Sequence, residues 1–202
     1  MEKTVLDAED VRRTLTRIGH EIVERTGGRD LAVVGVHRRG AVIARRLHER
    51  LLELCEEPVP LGDVDISFYR DDVGLRAPSR QPVVHASHID FPLEGRTVVL
   101  VDDVLYTGRT ARAAIDALFD YGRPDRVQLA VLADRGHREL PIRPDYVGKN
   151  LPTARDERVN VRVAELDRVD EVTIVEAAGD GGGDGAPSGA ANADARVSEV
   201  RP

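Results

Sequence analysis

Residues 98–110, VVLVDDVLYTGRT, decide the fold of this chain. The apolar run 98–101 predicts a strand that is buried in a parallel sheet. Two carboxylates, Asp102 and Asp103, follow where that strand would leave the core. Thr107 and Gly108 then precede an alanine-rich run, 111–118, that predicts a helix. A strand, a short polar turn and a helix together form a unit of an α/β fold.

The polar turn suits a phosphate, and the two acids suit a sugar. Free N–H groups of such a turn and the positive end of the helix dipole face an anion. Gly108 lets the backbone approach closely, and Thr107 and Thr110 supply hydroxyl donors. Asp102 and Asp103 suit sugar hydroxyls or a metal ion carried on them. A sugar phosphate therefore fits the whole motif, and the alternative is an ordinary strand–helix turn with an acidic rim and a helix cap.

The motif resembles the signature of the type I phosphoribosyltransferases, which bind phosphoribosyl pyrophosphate (PRPP). The shared features are the apolar strand, the acid pair, Thr-Gly and a further Thr in this order. The resemblance implies that the acids hold the ribose hydroxyls and that the turn wraps the 5-phosphate. The PRPP segment that it implies consists of Val99, Leu100, Val101, Asp102, Asp103, Val104, Leu105, Tyr106, Thr107, Gly108, Arg109 and Thr110.

A second anion loop lies earlier in the chain. Residues 31–36 predict another buried strand, which ends at His37-Arg38-Arg39-Gly40, and residues 41–54 have helical apolar spacing. Two guanidiniums there can grip diphosphate oxygens. Since PRPP has a phosphate at one end and a diphosphate at the other, the two loops complement each other. The resemblance implies that Arg38, Arg39 and Gly40 bind PRPP, that Asp102, Asp103 and Arg39 are catalytic, and that Mg²⁺ is held mainly through PRPP.

Alternation of strands and helices predicts a parallel sheet with helices on its faces. Helices are expected at 7–26, capped by Asp7, and at 109–121, and further strands at 127–132, 146–148, 159–163 and 172–175. The alternating segment 63–69 predicts an antiparallel or edge strand, 70–82 a mobile lid loop, and 83–88 its returning strand. The loops after the strands at 31–36, 98–101 and 127–132 should then converge in one crevice.

Domain organisation follows from composition. Residues 1–178 are expected to form a single domain, and residues 179–202, rich in Gly, Ala and Asp, a disordered tail.

Composition excludes several classes of protein. The formal net charge is −7, but nine of the 36 acids and only three of the 29 bases lie from Glu165 onward, so the body is nearly neutral and leaves room for a local basic face. One cysteine, Cys55, fits a reducing cytoplasm. No apolar run is long enough to span a bilayer, so we predict a cytoplasmic protein without a membrane partner. Aromatic residues amount to 3%, without Trp, which disfavours a base-stacking platform.

Four segments resemble the PyrR family of pyrimidine operon attenuation proteins. They are TLTRIGHEIVER at 14–25, DISFYRDD at 65–72, DDVLYTGRT at 102–110 and LADRGHRELPIRPDYVGKNLPT at 132–153. This family is bifunctional: it binds messenger RNA of pyrimidine genes in response to uridine nucleotides, and it is a uracil phosphoribosyltransferase. The resemblance implies a type I phosphoribosyltransferase-like sheet with a small hood and a flexible loop.

The same resemblance implies further sites and partners. The substrates would be PRPP and uracil, the effector UMP, the macromolecular partner a pyrimidine-operon mRNA leader, and the assembly a homodimer or homotetramer. The base pocket would contain Asp134, Arg135 and Val159. The RNA face would consist of Thr16, Arg17, His20, Arg25, His137, Arg138, Arg143 and Lys149.

Three functional hypotheses stay open. The chain is an RNA-binding regulator that is also a transferase, a purely metabolic uracil or purine salvage enzyme, or a regulator that has lost catalysis. The intact acid pair and diphosphate loop argue against lost catalysis. Composition alone favours a solvated face for the basic side of the first helix, whereas the resemblance, together with His137, Arg138 and Lys149, favours RNA contact. Many purine enzymes of the superfamily carry an acid at the position of Tyr106, so its absence here suits uracil and leaves no obvious general base.

Overall fold

The computed structural model describes residues 2–67 and 87–176. Within these ranges the elements follow in this order: β1 (Glu2–Leu6), α1 (Ala8–Thr26), β2 (Leu31–Val36), α2 (Arg39–Leu54), β3 (Leu61–Val64), β4 (Thr97–Leu105), α3 (Arg109–Phe119), β5 (Arg126–Asp134), β6 (Tyr146–Asn150), β7 (Glu157–Arg162), α4 (Ala164–Asp167) and β8 (Glu171–Glu176).

The main sheet has five parallel strands in the order β3-β2-β4-β5-β6. Its central strands are buried on both faces, as their continuous apolar sequences predict. Val33, Val99 and Leu132 belong to one core cluster, and Val34 and Leu100 belong to a second. The two clusters lie on opposite faces of the sheet, which confirms the predicted α/β architecture.

Helix α1 begins at its predicted cap, Asp7, and ends at the predicted residue. Asp7 and Asp10 form a reciprocal capping box, in which the Asp7 carboxylate accepts a hydrogen bond from the Asp10 backbone N–H at 2.8 Å. Gly27 ends the helix with a φ of 72°. The apolar face, with Leu15 and Ile18 at its centre, is buried as its spacing predicts. None of the described helices is long and apolar enough to cross a membrane.

A second, antiparallel sheet forms the hood, with strand order β1-β8-β7. Sequence analysis did not identify β1, whose five residues end in one apolar pair, nor the single-turn helix α4. Leu6, Val161 and Val172 of the hood belong to the same core cluster as the α1 face of the main sheet. The hood and the main sheet therefore share one core.

Several predicted boundaries were wrong. The strand expected at 63–69 is β3 at Leu61–Val64, which is an edge strand but runs parallel to β2. The Asp65 carboxylate accepts hydrogen bonds from the Ser67 backbone N–H and hydroxyl just after that strand. His88 forms an isolated antiparallel bridge to Asp63, whereas the predicted lid at 70–82, most of the returning strand and the tail lie outside the described residues. Helix α3 ends at Phe119, two residues before the predicted end.

Arginines of α2 tie the hood to the main sheet. Arg46 binds Glu165 at 2.9 Å and Asp170 at 2.8 Å, and Arg39 binds Asp167 at 2.7 Å. The hydrogen bonds from Arg46 lower the pKa of Glu165, and those from Arg39 lower the pKa of Asp167. Because both carboxylates are held in the ionised form, the attachment of the hood should weaken in acid.

We expect acid to destabilise the protein partly through these two carboxylates. Their pKa values in the fold lie below the ordinary 4.5 and 3.8, so their stabilisation is present above those values and is lost as the pH falls through the folded-state pKa. The melting temperature of the parent should therefore fall more steeply from about pH 5 to about pH 3 than that of the Glu165→Gln, Asp167→Asn double variant. Glu53→Gln is the control, since the Glu53 ion pair with Arg50 lies within α2. Equal slopes in the parent and the double variant would contradict this expectation.

Candidate active site

Three loops meet at the carboxyl edge of the main sheet. Strands β2, β4 and β5 are adjacent and parallel, with Gly35 opposite Val101 and Leu105 opposite Asp134. The loop after each strand therefore opens onto the same crevice, as the sequence predicts. The crevice faces the hood, because the backbone carbonyl of Glu157 in β7 accepts a hydrogen bond from Arg135 at 2.7 Å.

Gly40 brings the arginine loop, residues 37–40, against the acid pair. A Cβ atom at Gly40 would lie 2.6 Å from the Val101 carbonyl oxygen and 3.3 Å from Asp102 Oδ1. Real Cβ atoms do not approach backbone that closely, so any larger residue would push the start of α2 away from β4. The arginine loop and the acids are thus held together by direct backbone packing.

The acid pair lies within β4. The apolar run predicts that both acids follow the strand where it leaves the core, but β4 continues to Leu105 because its ladder with β5 extends past them. Asp102 is only 6% exposed, and Asp103 is half-buried. Each carboxylate accepts a hydrogen bond at 2.9 Å from the backbone N–H of the following residue.

The upstream residues of the predicted PRPP segment serve the core. Val99, Leu100 and Val101 are buried in the two clusters, Leu105 is also buried, and Val104 packs partly against the core. Their side chains pack in the core next to the acid pair.

The turn between β4 and α3 has the features of an anion site. Gly108 has a φ of 92° and precedes the eleven-residue helix α3. The backbone N–H groups of Tyr106, Thr107 and Gly108 make no hydrogen bond to a described residue, and Thr107 Oγ1 accepts one from the Arg109 N–H at 3.3 Å. Free N–H groups at the start of a helix suit a phosphate.

The two arginines of the arginine loop differ in exposure and in bonding. Arg38 is exposed and its side chain makes no hydrogen bond to a described residue. Arg39, at the first position of α2, forms a two-pronged ion pair with Asp167 of the hood, with its Nε 3.1 Å from Oδ2. No local signal in the sequence marks Asp167 as this partner, because 128 residues separate the two.

The predicted base pocket is built around a stacked arginine. The Arg135 guanidinium carbon lies 3.9 Å from the centre of the Tyr106 ring, and Arg135 is 8% exposed. Its Nε donates to Thr153 Oγ1 at 3.3 Å. Asp134 accepts a hydrogen bond from the Gly136 N–H at 2.9 Å, and Val159 packs partly against the core. Arg135 therefore acts as a wall of the crevice.

Arg138 fastens the loops around this pocket. It donates to the Tyr106 carbonyl at 2.7 Å and to the Ile142 carbonyl at 3.0 Å, and it forms an ion pair with Asp134. His137 is also half-buried and lies 2.7 Å from the Thr153 carbonyl oxygen. Of the predicted RNA-face residues, these two have the clearest structural roles.

The remaining predicted RNA-face residues border the edge strand β6. Arg17 donates to the carbonyls of Val147 and Gly148 at 2.8 Å, and Arg25 donates to the Asp145 carbonyl at 2.9 Å. Helix α1 is thereby fixed beside β6. Of the other members, Thr16 donates to a carbonyl of its own helix, and Lys149 donates to the Val5 carbonyl at 3.2 Å. His20 and Arg143 are exposed.

A histidine that sequence analysis did not select precedes the arginine loop. His37 Nε2 lies 2.6 Å from Asp63 Oδ1, and His88 Nδ1 lies 3.3 Å from the same oxygen. Asp63 and His88 come from β3 and the segment that bridges to it. The strand pairing that brings them to His37 leaves no local signal in the sequence.

The acid pair fits Mg²⁺ that is held chiefly by a substrate. Among the described residues no group of three or more His, Cys, Asp and Glu side chains could hold a metal ion by itself. Mg²⁺ typically takes one or two carboxylates together with substrate phosphates. Asp102 and Asp103 supply that number of hard oxygen ligands.

Comparison with solved structures supports the fold. A hypoxanthine phosphoribosyltransferase from Trypanosoma cruzi has a TM-score of 0.66 at 20% identity, covering 86% of this chain and 96% of that one. A hypoxanthine phosphoribosyltransferase from Staphylococcus aureus has a TM-score of 0.63 at 22% identity, covering 84% of this chain and 90% of that one. At these identities the likeness concerns the fold alone.

Curated relatives are much more similar in sequence. The chain is 62% identical to "Bifunctional protein PyrR" of Roseiflexus sp. (strain RS-1) over 176 residues, which cover 86% of this chain and 95% of the relative. It is 56% identical to the protein of the same name from Deinococcus radiodurans, covering 85% and 93%. It is 55% identical to that from Listeria welshimeri, covering 85% and 94%.

Residues 2–167 match the family described as "Phosphoribosyl transferase domain". That match, the shared fold and the high identity to PyrR proteins over most of both chains lead to one conclusion: this chain belongs to the phosphoribosyl transferase domain family and, within it, to the PyrR family.

Proposed function

We propose that this protein transfers a phosphoribosyl group from PRPP to uracil and regulates pyrimidine biosynthetic genes by binding their RNA in response to uridine nucleotides. The observation that carries the proposal is the packing of Gly40 against β4, which sets a loop of two arginines beside the acid pair. The relatives named PyrR support both halves of the proposal.

Each part of PRPP has a place in the crevice. The turn of Tyr106, Thr107 and Gly108 takes the 5-phosphate through its free N–H groups and the start of α3, together with Arg109 and Thr110. Asp102 and Asp103 hold the ribose hydroxyls. Arg38 and Arg39 take the diphosphate, with Gly40 as the close backbone contact.

The transfer is a substitution at the anomeric carbon of the ribose. The bond from that carbon to the diphosphate oxygen breaks, and its electron pair leaves with the diphosphate. The N1–H proton of uracil passes to water or to the departing diphosphate, and the N1 electron pair forms the new bond from the opposite face. The arginines stabilise charge on the leaving group, and the acids lie near the positive charge that develops on the ribose. Bound Mg²⁺ would neutralise further charge on the diphosphate.

The base pocket is proposed to contain Asp134, Arg135 and Val159. The Arg135 guanidinium is already satisfied by Tyr106, Thr153 and Glu157, so it shapes the pocket as a fixed wall. Tyr106 is 38% exposed over this wall. Its phenol, rather than a carboxylate, borders the base, which suits uracil because the N1–H of uracil is fairly acidic.

The RNA face is proposed along the edge of β6. Its members are Thr16, Arg17, His20, Arg25, His137, Arg138, Arg143 and Lys149. Exposed cations on both sides of one edge strand suit the phosphates of a folded RNA. Arg17 and Arg25 donate to carbonyls in β6 and just before it, so their loss could displace α1. His20, Arg143 and Lys149, the last with a single bond to the Val5 carbonyl, are therefore the members chosen to test RNA contact.

UMP is the proposed effector because it carries the base, ribose and 5-phosphate that the crevice fits. The proposal further includes assembly as a homodimer or homotetramer and a cytoplasmic location, both of which rest on the family.

Neutralising one acid of the pair should reduce catalysis strongly. Asp103→Asn should reduce kcat/KM for PRPP-dependent UMP formation by about 100-fold or more, as the loss of one preorganised electrostatic group does in other enzymes. Asp103 is the first choice because buried Asp102 also contributes to the fold. Asp116→Asn, an exposed acid of α3, is the matched control and should keep parental turnover. Near-normal turnover in Asp103→Asn and Asp102→Asn would overturn the assignment of PRPP to this crevice.

The acceptor base distinguishes uracil salvage from purine salvage. Uracil should be used at least about 100-fold better than hypoxanthine, guanine or orotate, because the pocket is fitted to one pattern of polar edges. The measurement is the initial rate of PRPP consumption with each base at equal concentration. Comparable rates on hypoxanthine would instead indicate a purine enzyme.

RNA binding should be separable from catalysis. His20→Ala, Arg143→Ala and Lys149→Ala should each weaken binding of the pyrimidine-operon leader RNA, and each lost phosphate contact should lower the slope of log affinity against log salt by about one unit. Uracil turnover should stay parental. Arg126→Ala, at the opposite end of β5, is the exposed control. If all three variants bind RNA as the parent does, the β6 edge is only a solvated surface.

A further inference from the structure

The hood supplies a carboxylate to the arginine at the start of α2. Arg39 Nε donates to Asp167 Oδ2 at 3.1 Å, and Arg39 Nη2 donates to Asp167 Oδ1 at 2.7 Å. Asp167 Oδ2 also accepts a hydrogen bond from the Val163 N–H at 2.9 Å. The carboxylate is therefore anchored within its own helical turn before it meets Arg39.

The ion pair is side-on, and this leaves one edge of the guanidinium unused. Asp167 occupies Nε and Nη2, whereas Arg39 Nη1 makes no hydrogen bond to a described residue. The side chain of Asp167 is 20% exposed and that of Arg39 is 39% exposed. One anion thus holds the guanidinium, while the edge that includes Nη1 stays open to a second anion.

We propose that Asp167 is a positioning residue, which holds the Arg39 guanidinium so that its Nη1 edge meets the diphosphate of PRPP. The inference rests on the proposed function. A free arginine side chain loses conformational entropy each time it is ordered on a ligand. Asp167 orders Arg39 beforehand, just as Gly40 fixes the backbone next to it. The hood, distant in sequence, thereby completes the diphosphate site.

A second ion pair on the same helix serves as an internal control. Arg46 lies two turns further along α2 and binds Glu165 and Asp170 of the hood with similar geometry. Both ion pairs tie the hood to α2, but only the one with Asp167 adjoins the arginine loop. A variant at Glu165 therefore reports on general loosening of the hood.

The experiment measures binding of magnesium pyrophosphate by calorimetry, and PRPP kinetics, for the parent, Asp167→Asn, Asp167→Glu and Glu165→Gln. We expect Asp167→Asn to weaken pyrophosphate binding and to raise KM for PRPP, each by about tenfold. This is the smallest effect usually seen when a residue that orients a metal ligand is removed. For Asp167→Asn, KM for PRPP should rise more than kcat falls, because the guanidinium remains and only its orientation is lost, and Asp167→Glu should recover part of the loss. Glu165→Gln should bind as the parent does. Failure of the parent itself to bind pyrophosphate or PRPP would refute the proposed function on which the inference rests.

A double-mutant cycle tests whether Asp167 acts through Arg39. In an Arg39→Ala background, Asp167→Asn should cause no further loss of pyrophosphate binding, because the group that it positions is gone. Further loss in that background would overturn the proposal. Equal losses in Glu165→Gln and Asp167→Asn would also overturn it, and so would parental binding in Asp167→Asn. Tighter binding in Asp167→Asn would overturn it as well, because it would mean that Asp167 competes with the diphosphate for Arg39.

Discussion

Close packing of α2 on the backbone of the central strands is the constraint on which the crevice depends. A Cβ atom at Gly40 would lie 2.6 Å from the Val101 carbonyl oxygen, and one at Gly35 would lie 2.4 Å from the Ala41 Cα. Two glycines therefore let the helix rest directly on β2 and β4. Because the arginine loop begins this helix and the acids lie in the second half of β4, their proximity follows from main-chain contact, which is more rigid than contact between long side chains.

Helix α2 also carries the hood. Arg39 and Arg46 lie on one face of the helix and bind carboxylates of the segment that includes α4. Leu6 and Val172 of the hood enter the same core cluster as Leu47 of α2. The main sheet and the hood, which border the crevice on two sides, therefore share one core. A change in the hood can reach the diphosphate loop through Arg39 without any change in the sheet.

Arg138 connects the two proposed activities. Its hydrogen bonds join the Tyr106 carbonyl beside the phosphate turn, Asp134 at the end of β5 and the Ile142 carbonyl in the segment that leads to β6. Loss of Arg138 would disturb both the crevice and the β6 edge. Exposed residues such as His20 and Arg143 have no such role in the described part of the chain, so they separate RNA contact from catalysis.

The sequence by itself determined the α/β class, the buried strands at 31–36 and 98–101, the caps of α1 and the three loops at one sheet edge. These features depend on burial patterns and caps that involve neighbouring residues. Tertiary structure decided the extension of β4 that buries Asp102, the parallel direction of β3, and the hood strand β1. It also gave Arg39 a partner 128 residues away. Ladder length, strand direction and ion pairing depend on groups far apart in the chain, so no local pattern encodes them.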